Sequence, residues 1–307
     1  MSFTSNIKTE IANISTTKLE QLSELAGFLK NSKDGKDNLK ISTENAALAR
    51  LTFNRLKENY DALIRVSVKK GYNYNKNYIY GLDVYKNKDI IIKDLSLDKN
   101  IPDKYLLDDE DTKRAYIRGV FLAVGSINDP KTSRYHMELS FDNLEYANFI
   151  NDLLLSYNLN SKLIKRESRY TIYIKESEKI TDFLRIINAT SALLYYENIR
   201  IYRNKKNNIN RLNNCEQANV DKIILTAKKQ IDDINYIKQE DAYDLLDDKV
   251  KQACEYRLKY PEESLLELSK IMTLETQMPI TKSGLHHRFD KLKKLVDRMK
   301  ENKSQDL

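Results

Sequence analysis

Apolar residues recur at helical spacing in residues 112–130, TKRAYIRGVFLAVGSINDP, where Ile117, Val120, Phe121 and Val124 surround the small residues Gly119, Ala123 and Gly125. The pattern predicts a helix without a clean polar face, buried on most sides and followed by a turn from Gly125 to Pro130. Glycine inside a helix costs about 1 kcal/mol relative to alanine. Gly119 therefore implies that another backbone approaches closely there. Residues 22–31, LSELAGFLKN, repeat the pattern 92 positions upstream, with Ala26-Gly27 matching Arg118-Gly119. The two helices are expected to pack against each other at these glycines.

A longer repeat surrounds them. Ser42-Thr43-Glu44-Asn45 with Ala49 matches Ser140-Phe141-Asp142-Asn143 with Ala147 at an offset of 98, and Leu63-Ile64-Arg65 matches Leu163-Ile164-Lys165 at an offset of 100. Three offsets in consistent order describe one supersecondary unit used twice. Each unit is predicted to run helix, strand, helix, hairpin. The first has a strand at 38–42, a helix at 45–60, and strands at 62–68 and 78–84 around a Gly/Asn-rich turn that begins at Gly71. The second has a strand at 135–141, a helix at 143–157 and a hairpin of 161–166 with 170–175. Glu44-Asn45 and Asp142-Asn143 stand where helix caps are needed. Residues 95–109, with Pro102, connect the units.

Beyond the repeat, Val220, Ile223, Ile224, Ala227, Ile231 and Ile234 keep helical spacing, so residues 211–238 are read as a helical bridge and not a floppy linker. A short helix at 265–272 and a loop with Pro279 follow, then a second helix capped by Thr281 or Ser283. On that helix Leu285, Phe289, Leu292, Val296 and Met299 form one stripe, to be buried on the preceding helices; His287, Lys291, Lys294 and Arg298 lie opposite. This is the pattern of a helix-turn-helix, whose second helix brings its first residues, here Lys282, Ser283, His286 and His287, to base edges.

Charge strengthens that expectation. The 307-residue chain carries a net charge of +7, and residues 162–211 alone hold twelve Lys/Arg against five Asp/Glu. Tyr170, Tyr173, Tyr195, Tyr196 and Tyr202 are interleaved with those cations, as on a solvated basic face or on one that meets phosphates. Residues 240–279 are acidic, ten against five, and residues 281–300 basic, seven against two. A basic reading helix on an acidic support has this change of sign. The candidate DNA contacts are thus Thr281, Lys282, Ser283, His286, His287, Arg288, Lys291 and Lys294, with Arg203, Lys205 and Lys206 in the basic stretch. The chain is expected to remain in the cytoplasm, because no segment resembles a signal peptide or membrane span, and, as a DNA binder, to associate with the nucleoid. Cys215 and Cys254, 39 apart and without a CxxC, are read as buried free thiols.

The residues 22–31 and 112–125 resemble the two motif helices of the LAGLIDADG homing-endonuclease fold. The chain as a whole resembles the bacterial WhiA family, on Ala115-Tyr116-Ile117-Arg118-Gly119, Gly125-Ser126-Ile127-Asn128-Asp129-Pro130, Arg211-Leu212-Asn213-Asn214-Cys215-Glu216-Gln217-Ala218-Asn219 and Lys282-Ser283-Gly284-Leu285-His286-His287-Arg288. The resemblance implies an α+β, two-repeat LAGLIDADG-like domain at 1–208 (repeats about 18–95 and 110–208), a bridge at 209–238 and an all-α helix-turn-helix domain at 239–307, with its motif at about 264–297. It also implies double-stranded DNA as the partner, a role in transcription control, cell division and chromosome segregation, and other transcription or division proteins as further partners. No membrane or small-molecule substrate is implied.

The alternative is an active metal-dependent endonuclease; a third possibility is a structural adaptor that touches DNA only through its tail. In LAGLIDADG nucleases the carboxylate just before the last motif glycine binds the metal. Here Ser32 and Val124 fall at those positions, and valine has no oxygen donor for Mg²⁺. Asp34-Gly35 imitates the ending only in a slipped register that puts Leu29 where the close-packed glycine belongs. Asp129 beside Pro130 suits a turn cap. His136 lies in a predicted strand, and His286 and His287 point about 100° apart on a helix, so none joins another at one metal. No catalytic residue, metal or cofactor is expected.

Overall fold

The computed structural model describes residues 2–32, 39–70, 78–132 and 134–305, with side chains to residue 302. Asp34, Gly35 and the turn that begins at Gly71 lie outside the described residues. The chain divides into two compact units, Met1–Asn204 and Lys205–Leu307.

In the first unit, α1 (Phe3–Ile11) precedes the repeat, which opens with α2 (Lys18–Ser32). β1 (Lys40–Thr43), α3 (Ala46–Tyr60), β2 (Ile64–Lys70), β3 (Tyr78–Val84) and α4 (Lys88–Asp94) complete its first half. A 3-10 turn at Lys104–Leu107 leads to the second half. That half runs α5 (Glu110–Val124), β4 (Gly125–Ile127), β5 (Met137–Phe141), α6 (Leu144–Ser156), β6 (Lys162–Arg166), β7 (Arg169–Ile174) and α7 (Ser177–Ile186). Each hairpin is thus followed by a further helix, α4 or α7, which the periodicity did not show. The expected turn after Val124 is also replaced in part, because residues 125–127 add an edge strand to β5.

The sheets are antiparallel, in the orders β1-β3-β2 and β4-β5-β7-β6. Register places Glu138 beside Tyr173, and Tyr173 beside Lys162. By alternation these stand on one face of the second sheet, while Leu139, Ile172 and Ile174 point to the core. Asn45 accepts from the backbone N–H groups of Ala47 and Leu48, and Asn143 from that of Tyr146. At the head of α5, Asp109 and Thr112 form a reciprocal capping box.

α2 and α5 lie together at the centre of the unit. A Cβ on Gly119 would fall against the Glu24 carbonyl and 2.9 Å from the Phe28 nitrogen, and one on Gly27 would fall against Tyr116 O and 3.1 Å from Val120 N. Only glycine lets the two backbones meet. Beside this meeting point Glu24, 1% exposed, accepts a 2.5 Å hydrogen bond from Arg118 Nε and forms a 2.7 Å ion pair with Arg55 of α3. Buried charge is tolerated here because two cations meet one carboxylate across three helices.

The second unit contains the later part of α8 (Thr190–Gln239), then a 3-10 turn at Tyr243–Leu245, α9 (Asp248–Lys259), α10 (Leu265–Thr276) and α11 (Lys282–Gln305). Its core joins Ile234 and Ile237 of α8 to Val250, Leu268, Met272, Leu285, Phe289, Leu292 and Val296. The bridge helix expected to begin at 211 thus begins at Thr190. Cys215 is exposed, against the expectation, and Cys254 is buried.

Candidate nucleic-acid interface

α10 and α11 form a helix-turn-helix whose turn is set by short-range chemistry. Ser264 caps α10 by accepting from Glu267 N at 3.1 Å, and Gln277 ends it in the left-handed conformation at φ 57°. The Thr273 hydroxyl, which donates to Ser269 O at 2.8 Å, then accepts from Ile280 N at 3.0 Å, which closes the loop. Thr281 caps α11 by accepting from Gly284 N at 3.0 Å. Beneath them lies Arg257, 1% exposed, which donates to Gln230 on α8 at 2.9 Å and to Glu263 O at 2.6 Å. It ties α8, α9 and the lead-in to α10 together, and its guanidinium sits 5.7 Å from the centre of the Phe289 ring. The sequence offered no sign of this: an arginine in a charged stretch looks like surface.

The structure divides the candidate DNA-binding residues. Lys282, Ser283, His286 and His287 are exposed at the start of α11. Arg288 instead donates to Lys249 O and Gln252 on α9, at 3.2 and 3.3 Å. Lys291 pairs with Asp247 at 3.1 Å, and Lys294 with Asp290 at 2.9 Å. These three brace the helix and are partly neutralised. Lys291 and the Val250 N–H also hold the Asp247 carboxyl below the usual carboxylate range, the N–H having the larger effect.

The basic stretch 162–211 is not a single sheet face. Lys205 and Lys206 lie on α8, exposed, whereas Arg203 donates to Pro130 O at 2.6 Å and stacks over Tyr135 at 4.7 Å. On the sheet, Arg166 pairs with Glu138 at 3.6 Å and Arg169 with Asp142 at 2.9 Å. Tyr196 is buried and cannot stack on a partner. Asp129 accepts from Lys131 N at 2.8 Å, as a turn cap does. His136 lies just before β5, 3.2 Å from Glu138.

At the ends of α2 and α5 opens a cleft of about 820 Å³ lined by Lys30, Asn31, Asp89, Asp98, Val124, Asp142, Asn143, Tyr146 and Arg169 among others. This is where a LAGLIDADG nuclease would hold its metal, and the residues do not fit one. Val124 supplies no donor, Asp142 is engaged by Arg169, and Lys30 donates to the carbonyls of Leu97 and Lys99. Among the described residues no three His, Cys, Asp or Glu side chains gather to hold an ion.

A LAGLIDADG-like α+β domain of two repeats followed by an all-α helix-turn-helix domain is the class these features define. Family models agree with that order: the WhiA N-terminal LAGLIDADG-like domain matches residues 16–98, the WhiA LAGLIDADG-like domain 113–206, and the WhiA C-terminal HTH domain 209–296. The chain belongs to the WhiA family. It is 40% identical to the probable cell division protein WhiA of Clostridium botulinum (strain Hall), over 98% of this chain and 99% of that protein. It is 38% identical to the protein of the same description from Oceanobacillus iheyensis, over 99% of each. The crystal structure of full-length WhiA from Thermatoga maritima shares the fold, with a TM-score of 0.59 and 24% identity over 97% of this chain and 99% of that one.

Proposed function

We propose that this protein is a non-catalytic, sequence-specific binder of double-stranded DNA that acts at the nucleoid in the control of transcription, cell division and chromosome segregation. The observation that carries this is the free leading edge of α11, where Lys282, Ser283, His286 and His287 are exposed on a capped, well-packed helix. The relatives' description as probable cell division proteins supports the part in cell division. The absence of a donor at Val124 supports binding without cutting.

Titrations at several salt concentrations on specific and random duplexes test it. Replacing Lys205 and Lys206 by alanine should weaken both complexes alike and flatten the salt slope by roughly one unit for each phosphate no longer neutralised. Replacing Lys282 and His287 by alanine should lower the preference for the natural site and leave random-sequence binding largely in place. A Lys282/His287 variant whose preference for its site is undiminished would place specificity elsewhere in the chain.

A further inference from the structure

The remaining piece of the family resemblance, residues 211–219, lies on α8, and its setting is unusual. Every residue from 205 to 222 is exposed, on all sides of the helix. Within it, residues 205–214 read KKNNINRLNN: three cations, five asparagines, two apolar residues and no acid. Asparagine is a poor helix former because its amide competes for the backbone. A naked helix of such composition is not built for its own stability, so its side chains point to a ligand.

The pattern is specific. Asn207, Asn210, Arg211 and Asn214 are spaced i, i+3, i+4 and i+7, hence on one face. None of the four makes a side-chain hydrogen bond with a described residue. Ile209 and Leu212 lie on the opposite face, together with the first acid, Glu216. A face of free amides flanking a guanidinium offers paired donors and acceptors in the geometry that base edges require. Asparagine pairs with adenine N6 and N7, and arginine with guanine O6 and N7. From Asn207 to Asn214 the helix rises about 10 Å, roughly three base-pair steps, and the major groove admits an α-helix. Lys206, about a quarter turn round the helix from this face, carries charge that meets phosphate, and Lys205 stands on the opposite side with Ile209 and Leu212.

We propose that Asn207, Asn210, Arg211 and Asn214 form a second base-reading face, seated in the major groove of duplex DNA and preferring adenine opposite its amides and guanine opposite Arg211. It rests on the DNA-binding function proposed above, and adds to it a reading element outside the helix-turn-helix.

Selection by the full-length protein from a duplex library with a randomised centre tests it. The arms are the wild type, Asn210→Ala/Arg211→Ala/Asn214→Ala, and Lys282→Ala/His287→Ala. Alanine favours the helix, so circular dichroism of the triple variant should match wild type. The wild type should enrich two blocks of bases. The triple variant should lose one of them, an adenine-rich block containing guanine, with about tenfold weaker binding per base pair no longer read, and the Lys282/His287 variant should lose the other. A wild type that enriches nothing would refute the DNA-binding function itself. A folded triple variant that enriches the same two blocks with wild-type affinity would overturn only the α8 face. A second copy of the chain packed on Ile209 and Leu212 would instead appear as a concentration-dependent dimer abolished by Leu212→Lys, with selection by the triple variant unchanged; that combination would also overturn it.

Discussion

At the scale of single residues, steric and electrostatic constraints are sharpest where α2 meets α5. Gly119→Leu puts a branched side chain against the Glu24 carbonyl and Phe28 nitrogen, both backbone, so the helices must part. A cost of roughly 3 kcal/mol or more is expected, seen as a loss in melting temperature on the order of 10 °C. Gly284→Ala is the comparison. Its Cβ meets only Thr281 Oγ1, at 3.3 Å, and it should be neutral or stabilise α11 by up to about 1 kcal/mol. Glu24→Gln removes the carboxylate that Arg118 and Arg55 share and leaves both guanidinium groups buried beside a neutral amide; denaturant titration should show a loss of about 3–5 kcal/mol. Thiol labelling offers a third check. Burial pushes the Cys254 thiol up to about 12, which keeps it protonated and unreactive at neutral pH, while Cys215 is exposed. A maleimide should modify Cys215 at once and Cys254 only as the second unit opens.

Among the elements, α8 contrasts most with its neighbours. α5 is buried from Ala115 to Leu122 and forms the centre of its unit, whereas α8 has no buried side chain between Lys205 and Lys222. Each asparagine there costs roughly half a kcal/mol relative to alanine, and nothing packs on the helix to offset it. In the unliganded protein its backbone amides should exchange with solvent far faster than those of α5, as mass spectrometry can resolve. Uniform protection of the two would show that the stretch is covered in solution. Periodicity gave the motif helices, the hairpins and the reading helix, whose Leu285–Val296 stripe is buried as predicted. It missed α1, α4, α7 and α9. Those helices are short, and tertiary packing holds them as much as pattern does: Ile7 and Ile11, for instance, are buried in the core built by the repeats.

Over the whole molecule the LAGLIDADG-like scaffold persists, and the proposed binding without cutting is tested at its cleft. The cleft at the ends of α2 and α5 retains room and three aspartates, Asp89, Asp98 and Asp142, yet a valine occupies the decisive position and Arg169 holds Asp142. Incubation with plasmid or genomic DNA and Mg²⁺ or Mn²⁺ should therefore give no specific cleavage. Metal-dependent cutting that disappears on Asp142→Asn would restore the endonuclease alternative. No helix among the described residues is long and apolar enough to cross a membrane.

Contiguous residues carried what the sequence determined on its own: the twofold repeat, the glycine approach between its central helices, the asparagine caps and the helix-turn-helix stripe. Helical periodicity, steric demand at a glycine and caps within three residues all act locally, so they are legible without coordinates. The tertiary structure alone decided the fate of the polar side chains. Arg118 meets Glu24 across 94 residues, Arg257 meets Gln230 across 27, and Arg203 and Arg288 reach carbonyls 73 and 39 residues away. In the sequence these arginines look no different from the exposed Lys205 and Lys282. A long flexible cation takes its role from the acceptor that folding brings to it and from the water that folding removes, and neither is written in its neighbours.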